Sequence, residues 1–329
     1  MNQFLKTNPV GAWLNLARIA NLPTAWANIL MGFWLSNQSF EPNEILFCLI
    51  GASSCFYVAG MILNDVFDYP RDLKFRPERP IPAGQISLLQ AKIAGFGLLI
   101  VGVGLAFAAA AMIQNPFAIR IILVGLFLPI AIIAYDYVLK KTILSPIAMG
   151  LCRSLNILLG ASAGVGEIPK FGYAPQIYYA ALTIGLLICG VTWFARFEAI
   201  DETAQVEQQE PKKKIGKIHL WIGAILIAVA FGLMNAWPYI WDVGGNSRRL
   251  VIHGFLLTVA GLIFWRVFRA IRQPKPNFVQ RAVVTCLFSL ILLDATFVLM
   301  APPQQPVAAL MVAILLVPTN FLGKFFRPT

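Results

Sequence analysis

Apolar blocks separated by short polar patches recur from one end of the chain to the other. Runs of roughly 20 residues with few charges, the helix length that crosses a hydrocarbon core, fall at about 12–36, 43–66, 88–113, 118–139, 143–165, 175–195, 217–237, 250–270, 281–300 and 305–324. The pattern predicts an all-α fold: a polytopic membrane helical bundle of nine or ten transmembrane helices whose polar loops cap the cytoplasmic end. The ambiguity lies at Pro302, Pro303 and Pro306, which leave a very short link. The last two runs are then either two spans or one span with a broken or re-entrant segment. No polar linker long enough to separate domains interrupts the series, so residues 1–329 read as a single integral-membrane domain.

With 58% hydrophobic and 12% charged residues, the composition is that of a polytopic membrane protein rather than a soluble one. The charges it does carry are sorted. With the N-terminus inside, the inner loops collect Arg71, Lys74, Arg76, Arg79, Lys140, Lys141, Arg196, Lys212 to Lys214, Lys217, Arg266, Arg269, Arg272, Lys275 and Arg281. The outer side keeps Arg120, Lys170, Arg248 and Arg249. This asymmetry predicts a multi-pass protein of a bacterial inner membrane with a cytoplasmic N-terminus. The net charge of +11 therefore reports topology and attraction to membrane lipids. It does not point to nucleic acid, because the cations alternate with spans and build no soluble basic face. The polar opening MNQFLKTNPVG and the long first run containing Arg18, Asn21 and Thr24 predict no cleavable signal peptide. Cys48, Cys55, Cys152, Cys189 and Cys286 lie in apolar runs without metal-ligand spacing and read as reduced packing residues; His219 and His253 stand alone near span ends.

The chemistry is concentrated between Asn64 and Gly84, NDVFDYPRDLKFRPERPIPAG. Asp65, Asp68 and Asp72 stand at i, i+3 and i+7, which on a helix stacks their carboxylates along one face. Such a cluster repels itself unless a cation binds, and acids at a span end mark a site. Hard oxygen ligands suit Mg²⁺, which takes one or two carboxylates and completes its shell with water and phosphate oxygens. Asn64 can orient a carboxylate or contribute an amide oxygen. Arg71, Lys74, Arg76 and Arg79 supply positive charge for an anionic substrate. Together they describe a diphosphate held by metal.

This stretch resembles the first Asp-rich motif of the UbiA superfamily of intramembrane prenyltransferases, N-D-x-x-D-x-x-x-D, matched here at Asn64, Asp65, Asp68 and Asp72. The following Arg79-Pro80-Ile81-Pro82-Ala83-Gly84 is similar to the segment that closes this loop in many members. Tyr137 and Lys141 in YDYVLKK are similar to the family's Tyr-x-x-x-Lys at the inner end of span four. The resemblance implies that this pair faces the active site, with Lys141 touching diphosphate and Tyr137 orienting a carboxylate or lining the cavity. Taken alone, an interfacial Tyr and a positive-inside Lys are ordinary. Arg153 and Asn156 lie one turn apart inside span five. The Arg either faces a polar interior with a partner or reaches for the interface. Arg18 and Asn21 in span one admit the same two readings, with the interface favoured for Arg18.

The family places a second Asp-rich motif after span six, where this chain reads FARFEAIDETAQVEQQE. Glu198, Asp201 and Glu202 replace the common D-x-x-x-D by E-x-x-x-E or E-x-x-D, still one helix face and still oxygen ligands for a second Mg²⁺. Arg196 could instead pair with these acids, and a solvated loop helix is the plain alternative. This loop and the long C-terminal spans are similar to the EboC-type branch of the superfamily. The resemblance implies an Mg²⁺-dependent enzyme that ionises a prenyl diphosphate donor and passes the isoprenyl group to a hydrophobic, often aromatic, acceptor. A non-catalytic or transport-associated protein that binds an isoprenoid or lipid is the alternative. An ion-coupled transporter would explain Arg153 and Asp294, but no pair of interrupted spans in matching halves accompanies them.

Overall fold

The structure, a computed structural model, describes residues 8–114, 116–164, 172–206 and 213–326, and for 197–206 and 213–216 the backbone alone. All ten apolar runs form helix, and no strand occurs among the described residues. In chain order the α-helices are α1 (Pro9–Leu16), α2 (Leu22–Asn37), α3 (Asn43–Phe75), α4 (Leu88–Ala111), α5 (Ala118–Tyr137) and α6 (Ser145–Ala161). They continue as α7 (Pro175–Val206), α8 (Lys213–Ile240), α9 (Asn246–Arg272), α10 (Pro276–Met300), α11 (Pro306–Ala313) and α12 (Leu316–Phe325). Eight helical stretches among the described residues are long and apolar enough to cross a membrane, the tandem of α11 and α12 counted as one. The chain is an integral, multi-pass membrane protein.

Two runs depart from the expected length. The first is broken between α1 and α2, where Arg18 takes a left-handed backbone (φ 45°) and a 3₁₀ turn, Ile19–Asn21, follows. A left-handed residue cannot continue a right-handed helix. Pro23 sits in the first turn of α2, where no amide is required. With 16 and 17 residues, α2 and α6 span roughly 24–26 Å against a hydrocarbon core of about 30 Å.

These two short helices are the central pair. One buried core joins them to α3, α4 and α5, and another joins them to α7, α8, α9, α10 and α11. Their backbones touch: a Cβ on Gly32 would collide with the Ile157 carbonyl, and one on Gly160 with the Ile29 carbonyl. Small residues permit this approach where lipid offers no hydrophobic drive between helices. The periphery carries exposed Ile100, Phe127, Leu257 and Trp265, apolar surface suited to lipid rather than water.

Candidate active site

The acids lie at the end of α3. Asp65 and Asp72 are buried, at 6% and 3% exposure, and Asp68 is half-buried. Pro70 stands among them and removes the amide that would have bonded the Val66 carbonyl. The helix ends at Arg76, whose amide still donates to the Asp72 carbonyl at 2.9 Å. From there the chain folds back tightly. Ala83 N donates to Arg79 O at 2.9 Å and Gly84 N to Ile81 O at 3.0 Å, with Gly84 at a positive φ of 71° that favours glycine. A reciprocal Ser87–Gln90 cap opens α4. Ile81 and Ile86 insert among Ala12, Leu16, Ile62, Val66 and Ala91, and this burial pins the loop over the helix it has just left.

Arg79 is thereby aimed at the acids. Its Nη1 lies 2.7 Å from Asp72 Oδ2 and 3.1 Å from Asp65 Oδ1. Arg18 Nη2 approaches the same Asp65 oxygen at 3.4 Å. From beyond α5, Lys140 Nζ lies 2.8 Å from Asp68 Oδ1 and donates to the Asn64 carbonyl at 3.2 Å. Asn64 Nδ2 donates to Asp136 Oδ1 at 2.8 Å. Burial disfavours the charged form of Arg79, but the carboxylates of Asp65 and Asp72 outweigh it and hold the guanidinium more firmly protonated than usual. The self-repulsion expected of the acids is thus answered by three cations drawn from separate regions of the chain.

The other expected residues divide. Arg71 lies over the Phe75 ring at 5.9 Å and is exposed, as is Lys74; Arg76 is half-buried at the α3 C-cap. Tyr137 is 65% exposed with its ring 5.4 Å from Phe67, and Lys141 is exposed. The structure does not bring that pair to the acids. Their neighbours Asp136 and Lys140 take the inward positions instead. The physical reason is the end of α5 at Tyr137, after which Leu139–Lys141 winds as a 3₁₀ turn and the facing of an α-helix no longer holds. Arg18, favoured above as an interfacial side chain, turns instead to Asp65, because the break before α2 lifts it off the helix.

Arg153 faces the interior, not the interface. Its Nη1 donates to Asn28 Oδ1 and its Nη2 to Thr24 Oγ1, each at 3.0 Å. Asn28 donates onward at 2.7 Å to Asp294, which is fully buried. Asn156 accepts from Ser53 Oγ at 2.7 Å and donates to Ala25 O at 3.0 Å. These side chains border a cavity of about 100 Å³ between α2, α3, α5 and α6, with Asp136, Arg153 and Asn156 on its polar side and Phe56, Leu128 and Ile132 on its apolar side. Asp136 is 2% exposed and its Oδ2 has no hydrogen-bond partner among the described residues. It connects the acid cluster to the cavity. Sequence reasoning passed over Asp136, although a carboxylate inside an apolar run is itself a signal.

Arg196 donates to the Thr142 carbonyl and lies over the Trp193 ring at 5.4 Å, tying α7 to the turn after α5. Glu198, Asp201 and Glu202 follow on α7, and their side chains lie outside the described residues. Among the described residues no three acidic, histidine or cysteine side chains gather closely enough to hold a metal. A two-carboxylate arrangement is nevertheless present: Asp65 and Asp72 share one nitrogen of Arg79, so a cation standing there reaches both. Two carboxylates, with water and phosphate oxygens completing the shell, suit Mg²⁺.

The model of the UbiA prenyltransferase family matches residues 25–286. The chain belongs to the UbiA prenyltransferase family. Among curated UbiA relatives, it is 29% identical over 181 residues to a digeranylgeranylglyceryl phosphate synthase of Methanoculleus marisnigri, a match covering 54% of this chain and 61% of that protein. The chain thus spans about three-fifths of the length of that relative. It is 23% identical over 247 residues to a 4-hydroxybenzoate octaprenyltransferase of Albidiferax ferrireducens, covering 73% and 75%. In fold it is similar to a UbiA homologue from Archaeoglobus fulgidus bound to GPP and Mg²⁺, with a TM-score of 0.60 at 17% identity over 92% of this chain and 99% of the other.

Proposed function

We propose that this chain is a Mg²⁺-dependent intramembrane prenyltransferase, folded as one domain, that moves an isoprenyl group from a prenyl diphosphate to a hydrophobic or aromatic acceptor. The observation that carries the reading is the joining of Asp65, Asp68 and Asp72 to Arg79, Arg18 and Lys140 at the polar end of the Asp136–Arg153 cavity. The names of the curated relatives and the GPP and Mg²⁺ of the A. fulgidus homologue support the same chemistry. Basic residues concentrated at the end of the bundle that holds the acids support placing that end, with the N-terminus, in the cytoplasm, in a bundle of nine or ten crossings.

In this reading Asp65, Asp68 and Asp72 hold Mg²⁺, with Glu198, Asp201 and Glu202 as a second acidic set. When bound, the metal would neutralise diphosphate charge. Arg79, Arg18 and Lys140 contact the diphosphate oxygens, with Arg71, Lys74 and Arg76 around the entrance. The allylic C–O bond breaks, its electron pair leaves with the diphosphate, and the resulting cation forms a new bond to the acceptor, which gives up a proton. Positive side chains already in place stabilise the charge that grows on the leaving group. The apolar cavity wall keeps water from the cation. Arg153 and Asn156 fix the cavity's polar wall, Arg196 fixes the turn that presents Lys140 and Lys141, and Tyr137 covers the outer edge against Phe67. Buried apolar chain gains about 0.8 kcal/mol per CH₂, which accounts for a lipid-soluble donor with its charged head at the membrane surface.

The position of Arg79 between Asp65 and Asp72 favours the second reading, a binder of isoprenoid lipids without turnover, since the acids are neutralised without metal. The deciding experiment incubates purified protein in lipid nanodiscs with Mg²⁺ and a panel of labelled prenyl diphosphates and acceptors. Turnover is expected to fall about 10²-fold or more in Asp65→Ala and Asp68→Ala. Binding without product in the wild type would establish the binder, and the absence of Mg²⁺-dependent binding of every donor would sink both readings.

A further inference from the structure

A larger cavity lies apart from the acid cluster. It is a groove of about 810 Å³ between α9, α10 and α12, within the range of lipid and ligand sites. At its mouth stand Arg266 of α9 and Arg281 of α10, with Gln280 and Asn320 beside them. Neither arginine side chain has a hydrogen bond or an acidic partner among the described residues, and no acid lines the groove. Along α10 the lining changes from Arg281 through Thr285 and Ser289 to Leu292, a rise of roughly 16 Å along the helix from Arg281. Phe288 and Leu316 supply the apolar wall. Leu316 and Asn320 belong to α12, outside the residues matched to the UbiA family, so the groove is completed by a segment of the chain that the family match does not cover.

A polar and cationic mouth above an apolar slot fits one occupant. We propose that this groove binds an anionic phospholipid, its phosphodiester on Arg266 and Arg281 and an acyl chain against Phe288, Leu292 and Leu316. Guanidinium forks pair with phosphate oxygens in two-point contacts, which gives Arg266 and Arg281 a preference for a phosphate that lacks its own cation. A zwitterionic head carries a cation that these arginines repel. The site is independent of the transferase reading, since none of its residues touches the acids.

The test is native mass spectrometry of the full chain in neutral detergent, titrated with dioleoylphosphatidylglycerol or dioleoylphosphatidylcholine. The wild type should retain one phosphatidylglycerol and not phosphatidylcholine. The Arg266→Gln/Arg281→Gln double variant should retain phosphatidylglycerol about tenfold less well. Leu316→Trp, which fills the slot and leaves both arginines, should lower retention comparably. Arg272→Gln, whose guanidinium lies over Phe268, should behave as wild type. Equal retention by the double variant and the wild type overturns the site. So does full retention by Leu316→Trp, or a loss in Arg272→Gln matching the double variant, since either means surface charge alone holds the lipid. Two variants on different walls keep the test decisive if one fails to fold.

Discussion

Asn64 donates to Asp136 across 2.8 Å, so the first residue of the acidic motif on α3 is fastened to the last turn of α5. Replacing Asp136 by Leu leaves the half-buried Asn64 amide without its acceptor, at a cost of about 1 kcal/mol. Asp136→Leu is therefore expected to lower the melting temperature in detergent and to slow diphosphate release about tenfold or more. Asp136→Asn, which can still accept from Asn64, should melt like the wild type. Equal melting of the Leu variant would show that the bond contributes nothing.

Arg79 occupies the position between Asp65 and Asp72 that a metal would take on the proposed reading. Arg79→Gln should weaken prenyl diphosphate binding by roughly 10- to 100-fold, the loss of one charged hydrogen-bond set. In the absence of donor the same variant should bind Mn²⁺ more tightly than the wild type, because both carboxylates lose their internal partner. Calorimetric titration reads both, and unchanged Mn²⁺ affinity would contradict the competition.

The crossing of α2 and α6 has no room for side chains at Gly32 and Gly160. Valine at either position should destabilise by about 1–3 kcal/mol, the usual cost of overpacking. Gly97→Val on α4, where no atom lies within 4 Å of the added carbon, should be near neutral. Melting curves of the three variants would separate close-packed from merely apolar glycines.

Glu198 and Glu202 test whether a second acidic set contributes. If it does, the double Glu198→Ala/Glu202→Ala variant should raise the Mg²⁺ concentration needed for half-maximal turnover and lower the plateau about 10²-fold. A wild-type Mg²⁺ profile would leave the α3 acids as the working set.

Much of this was legible in the sequence. Run lengths located the helical stretches but not the breaks within the first and last of them, and the spacing of Asp65, Asp68 and Asp72 placed them on one face of α3. Facing at helix ends was not legible. Tyr137 and Lys141 have the same spacing as Asp136 and Lys140, and only the switch to a 3₁₀ turn decides which pair looks inward. Arg18 escaped for a related reason, since its left-handed backbone depends on packing that no local pattern encodes. The partners of Arg153 were hidden by distance, because Thr24 and Asn28 reach it from α2, with Asp294 of α10 behind Asn28.

Ile81 and Ile86 hold the loop that holds Arg79, so the counter-charge of the acid cluster is built into the fold rather than borrowed from solution. The carboxylates are never bare. On the proposed reading, an arriving cation would not fill a gap but take the place of a guanidinium, and the displaced fork would be free for a diphosphate. Loading of positive charge and capture of negative charge would then be two halves of a single swap. The folded chain is self-sufficient before either begins.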